Sequence, residues 1–134
     1  MAVYIALCDD NIADRKHLER LLGREHDKRN AEGIPLYNDS FGSKEALLRT
    51  PNRYDLFLLD LTHAKGADGL SAAREIRLLG IDAEIVLICS TVNYRERAGS
   101  EDDFLFRDQP ITQNDISELI SLAIARARKK TEQS

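Results

Sequence analysis

Leu56-Phe57-Leu58-Leu59-Asp60 is four apolar residues closed by an acid. A strand with no polar alternation is buried on both faces, which is the pattern of a parallel sheet. Residues 3–8 form a second apolar run, and it ends at Asp9-Asp10-Asn11. Residues 85–89 form a third, ending at Ser90-Thr91. Shorter strand patterns lie at 34–41, with Pro35 near its start, and at 104–106.

Helical periodicity fills the gaps between these runs. From 13 to 28, Leu18, Leu21 and Leu22 share one face and charged residues take the rest. Ser43 is placed to cap a brief helix over 44–49, which Pro51 cannot continue. Residues 70–79 read as a helix closed by Gly80. Residues 94–99 carry a weak helical pattern. Thr112 with Asp115 three residues on marks a helix start. Ile116, Leu119, Ile120, Ala123, Ile124 and Ala127 then fall on one face, and Arg126, Arg128, Lys129 and Lys130 favour its C-terminal end.

Five strands alternating with helices predict an α/β fold, a doubly wound five-stranded parallel sheet in the order 2-1-3-4-5, flavodoxin-like, with helices on both faces. The expected domain spans 1–128, and 129–134 is read as a tail or the start of a linker. The length of 134 residues suits one such domain without disulfide or metal support. Nineteen Lys+Arg against 23 Asp+Glu leave a net charge of −4, which argues against direct nucleic-acid binding by this domain. No apolar run has the length of a membrane span, and the N-terminus lacks a secretory pattern, so a cytoplasmic location is expected. Cys8 and Cys89 have no ligand spacing and are expected on strands separated by a third, as free thiols.

In open α/β sheets the ligand site lies beyond the carboxyl ends of the strands. Asp9 and Asp10 follow strand one and Asp60 follows strand three, its neighbour in the expected order. One strand-end Asp needs no explanation beyond its preference for turns. A pair joined by a third is different: clustered carboxylates raise one another's pKa unless a cation joins them, and an oxygen-rich, water-accessible site suits Mg²⁺.

These residues carry a family resemblance. The runs 3–11 and 54–61, Asp68-Gly69-Leu70 and the late Pro110-Ile111 together resemble the receiver domain of bacterial two-component response regulators, over about residues 3–128. The resemblance implies that Asp60 accepts a phosphoryl group from a sensor histidine kinase and holds it as an acyl phosphate. It implies Mg²⁺ ligated by Asp10, Asp60 and the backbone carbonyl of Thr62, with Asp9 acting through water. It further implies a switched surface read by a downstream output domain or partner protein, with a homodimer possible. Such a domain is a self-phosphorylating phosphoacceptor rather than a turnover enzyme.

The chain departs from the family pattern where the switch is completed. The residue before Pro110, usually Lys, is Gln109, which can donate a hydrogen bond but no charge. Arg107, two residues back, is a candidate to compensate. Cys89 falls at the position of the usual Thr or Ser, and a one-residue shift puts Ser90 there. Phe106 takes the aromatic switch position. His63-Ala64 replaces the usual Met-Pro, and Gly66 would absorb the extra residue before Asp68. These departures leave a phosphorylation-independent interaction module as the alternative. An FMN carrier would want Ser, Thr or Gly in the loop after strand one, where Asp9-Asp10 repels phosphate. A dehalogenase-like phosphatase would want an acid two residues after Asp60, where Thr62 stands.

Overall fold

The computed structural model describes residues 1–60, 69–89 and 103–133. Five parallel strands, β1 (Val3–Asp9), β2 (Leu36–Phe41), β3 (Leu56–Asp60), β4 (Glu84–Cys89) and β5 (Leu105–Asp108), form one sheet in the order β2-β1-β3-β4-β5. The described helices are α1 (Ile12–Ala31), α2 (Lys44–Leu47), α3 (Gly69–Leu78) and α4 (Gln113–Gln133), with a 3-10 turn at Pro51–Arg53. This is the doubly wound, flavodoxin-like arrangement expected from the sequence. The expected helix at 94–99 lies outside the described residues.

The period-two alternation of the strands sorts their side chains into two layers. Ile5, Leu7, Leu58 and Ile88 pack with Leu18 and Leu22 of α1 and Ile116 and Ile120 of α4. Ala6, Phe57, Leu59 and Leu87 pack on the other face with Leu47 of α2 and Leu70 and Ile76 of α3. β3 is buried along its whole length, which is why its sequence shows no alternation. Each fully buried Leu or Phe contributes roughly 1.5–3 kcal/mol of burial.

Local signals set most helix ends. Ser43 caps α2, accepting from the Ala46 N–H at 3.2 Å. Thr112 and Asp115 exchange bonds ahead of α4: the Asp115 N–H donates to Thr112 Oγ1 at 3.1 Å, and the Thr112 N–H donates to Asp115 Oδ2 at 2.9 Å. α1 runs three residues beyond the expected end. It closes in a Schellman turn, with Gly33 at φ 83° and the Ile34 N–H on Arg29 O at 2.9 Å. α4 continues through 129–133, so the basic segment Arg126 to Lys130 lies inside the helix. β5 begins one residue later than expected and extends to Asp108, which places Arg107 within it.

α1 and α4 are also joined by a polar clasp. Glu25 is buried, and Arg29 Nε meets its Oε1 at 2.7 Å. The same guanidinium donates to Ser117 O at 3.1 Å and Ser121 Oγ at 2.8 Å. A buried carboxylate is tolerable only when paired in this way.

Candidate functional site

β1 and β3 end together. Asp9 and Asp60 are register partners across the parallel pair, and both residues are 0% exposed. Two adjacent strands that stop at the same level carry their last side chains to one edge of the sheet, which is the usual ligand position in this architecture.

The turn after β1 is held by Asn11. Its backbone N–H donates to Asp9 Oδ1 at 2.8 Å. Its side-chain oxygen caps α1 by accepting from the Asp14 N–H at 3.0 Å. Asn11 thereby ties the end of β1 to the first turn of α1. As a result one carboxylate oxygen each of Asp9, Asp14 and Asp60 lie within 4.8 Å of one another. Asp14 was not among the residues expected at the site. An acid in the first turn of a helix is ordinary on dipole grounds, so its sequence position alone carries no ligand signal.

Asp9 Oδ2 is buried and has no hydrogen-bond partner among the described residues. Burial is the main cause that lifts the Asp9 carboxyl to about 7; the Asn11 N–H opposes the shift, and the Asp60 charge adds to it. A buried acceptor left over beside two further carboxylates fits a hard, oxygen-seeking cation such as Mg²⁺. Asp10 falls outside the three-acid group. Both its carboxylate oxygens are covered and lack a hydrogen-bond partner among the described residues.

Gln109 reaches the same edge from the residue after β5. Its Nε2 donates to Asp60 Oδ2. Its own N–H donates to Cys89 O at 2.9 Å, and a cis peptide joins it to Pro110. Gln109 thus contacts the predicted phosphoacceptor through a neutral amide. Arg107 does not compensate. Its guanidinium lies 3.7 Å from Asp115 and 3.6 Å from Glu118, so the acids at the start of α4 engage it.

Cys89 packs in the cluster that includes Leu59 and Leu87, and its Sγ lies 3.9 Å from Leu87 O. Phe106 is partly buried against the same cluster. Both cysteines are free thiols. Thr62 and Ser90 lie outside the described residues, as do His63, Ala64, Gly66 and Asp68. A cavity of about 280 Å³ opens beside the acids, lined by Asp14, His17, Leu18, Ile88, Gln109, Pro110 and Ile111. His17 Nε2 is 3.0 Å from Ile111 O on its wall.

No protein-family profile matches the chain, and no curated protein sequence matches it. Its similarity to solved structures is extensive. A response regulator receiver protein from Sinorhizobium medicae superposes with a TM-score of 0.72 at 21% identity, over 93% of this chain and 97% of that one. A two-component transcriptional regulator AraC from Clostridium phytofermentans gives 0.73 at 16%, over 98% and 99%. The Vibrio cholerae chemotaxis protein CheY4 gives 0.70 at 12%, over 92% and 99%. At these identities the likeness concerns the fold, and the chain has the fold of response regulator receiver domains.

Proposed function

We propose that this chain is a phosphoacceptor domain of two-component signalling, with Asp60 as the residue phosphorylated by a sensor histidine kinase. The observation that supports it most is the junction of β1 and β3. There a buried Asp60 stands in register with Asp9, whose second oxygen has no hydrogen-bond partner among the described residues.

Asp60 acts as nucleophile. One carboxylate oxygen attacks phosphorus, and the P–N bond of the donor phosphohistidine breaks. The imidazole leaves with the bonding electrons and takes up a proton from solvent. Gln109 holds Asp60 Oδ2 through its amide and so orients the carboxylate. Asn11 fixes Asp9 by its backbone N–H, keeping the acid at the sheet edge. Asp10, Asp60 and the backbone carbonyl of Thr62 would hold Mg²⁺, with Asp9 acting through water, and the ion would neutralise charge on the phosphoryl oxygens.

The partners that belong to this reading are the kinase and a downstream output domain or partner protein, in the cytoplasm. Among the described residues no helix is long and apolar enough to cross a membrane.

The test is chemical. Incubation with Mg²⁺ and acetyl phosphate or phosphoramidate should add roughly 80 Da, the mass of one phosphoryl group. Asp60→Asn should abolish the gain. No gain in the unaltered protein would overturn the proposal. Gln109 supports a second reading, because it places a neutral amide on Asp60 where the family carries a cation. In that reading the chain binds partners without phosphorylation, and the same experiment separates the two.

A further inference from the structure

We propose that Asp14, in the first turn of α1, is a direct ligand of the divalent cation and biases this site toward Ca²⁺ relative to Mg²⁺. The inference rests on the metal-binding half of the reading above and not on phosphoryl transfer.

The three carboxylates converge from three different elements. Asp9 ends β1, Asp60 ends β3, and Asp14 is carried in by α1, with one oxygen of each within 4.8 Å of the others. Asn11 holds this arrangement from both sides, with its N–H on Asp9 and its side chain on the Asp14 N–H. Independently of the cluster's charge, Asp9 Oδ2 is an acceptor fully removed from water with no hydrogen-bond partner among the described residues, which is the mark of a missing partner.

Among the described residues the donors nearest these acids are otherwise placed. Arg15 donates to the backbone carbonyl of Asp9 at 3.2 Å. Gln109 brings a neutral amide to Asp60.

Ligand number decides which cation such a site prefers. Mg²⁺ keeps several waters and takes one or two carboxylates in a strict octahedron. Ca²⁺ accepts about 6–8 oxygens in flexible geometry and gains from each added carboxylate. Asp14 adds a helix-borne carboxylate to the strand-end acids assigned to the cation, and each added carboxylate favours Ca²⁺ over Mg²⁺.

Isothermal titration calorimetry of the full chain with MgCl2 and with CaCl2 tests this. Asp14→Asn should weaken Ca²⁺ by about tenfold or more and Mg²⁺ distinctly less. Circular dichroism should show the variant folded; Asp14→Ser, which also lacks the carboxylate, should give the same loss. Equal weakening of both cations would mean that Asp14 acts only as a nearby charge, and would overturn the proposal. Unchanged binding in Asp14→Asn, with loss in Asp60→Asn, would overturn it while leaving the metal site intact. No saturable binding of either cation by the unaltered chain would overturn both the inference and the metal half of the functional reading.

Discussion

The amide of Gln109 donates to the carboxylate of Asp60 across 49 residues of sequence. The contact joins the ends of β5 and β3, which are not neighbours in the sheet, since β4 lies between them. It places a neutral donor on the residue proposed to accept phosphate. The chemistry of the site therefore turns on how its carboxylate charge is balanced.

Gln109→Lys should change the response of the site. A lysine here would supply the charge that pairs with a phosphoryl group. The variant should show larger amide chemical-shift changes than the unaltered protein on adding beryllofluoride with Mg²⁺. Equal changes in both would show that the missing charge does not limit the switch.

Asp9 makes the metal-free protein sensitive to pH. Its folded pKa of about 7 lies above the ordinary 3.8, chiefly because the residue is buried. The native state therefore holds more protons than the unfolded chain between those values, and this contribution to stability declines as pH rises from about 4 to 7. In EDTA, Asp9→Asn should gain stability relative to the parent at pH 8 and little at pH 4, measured by urea denaturation. The same difference at both pH values would contradict the assignment.

The clasp between α1 and α4 should be costly to break from one side. Arg29→Ala leaves Glu25 buried without its main partner, and a destabilisation of about 3 kcal/mol is expected. Replacing both with Glu25→Leu and Arg29→Met should recover most of that loss. Chemical denaturation of the single and double variants provides the comparison, and a double variant no better than Arg29→Ala would count against a desolvation cost.

Leu58 lies at the centre of β3 and is completely buried. Leu58→Ala should cost about 2–5 kcal/mol through lost burial and the cavity left behind. An exposed position on the edge strand, Tyr37 on β2, should tolerate Ala with a much smaller change in urea midpoint.

Much of this architecture is written in local pattern. The apolar runs that end in Asp9, Asp60 and Cys89 are strands because nothing polar interrupts them, and parallel because both faces are covered. Ser43 and Thr112 announce helix starts by chemistry that acts within three residues. Helix ends are set less locally. The last turns of α1 depend on Gly33 entering the left-handed region, and α4 continues into a basic stretch that also resembles a tail.

The sheet, its two packed layers, and the acids at the ends of strands one and three are legible in the chain alone. Those follow from periodicity and turn preference, which are short-range. That Asp14 joins Asp9 and Asp60, that Gln109 reaches Asp60, and that Arg107 is held by Asp115 and Glu118 emerges from the packed fold. Each of these depends on where one element ends relative to another. Asn11 fixes α1 against β1, the length of β5 sets the reach of Gln109, and the acids at the start of α4 draw Arg107 to themselves. Such contacts are governed by distance in space, and spacing along the chain does not encode it.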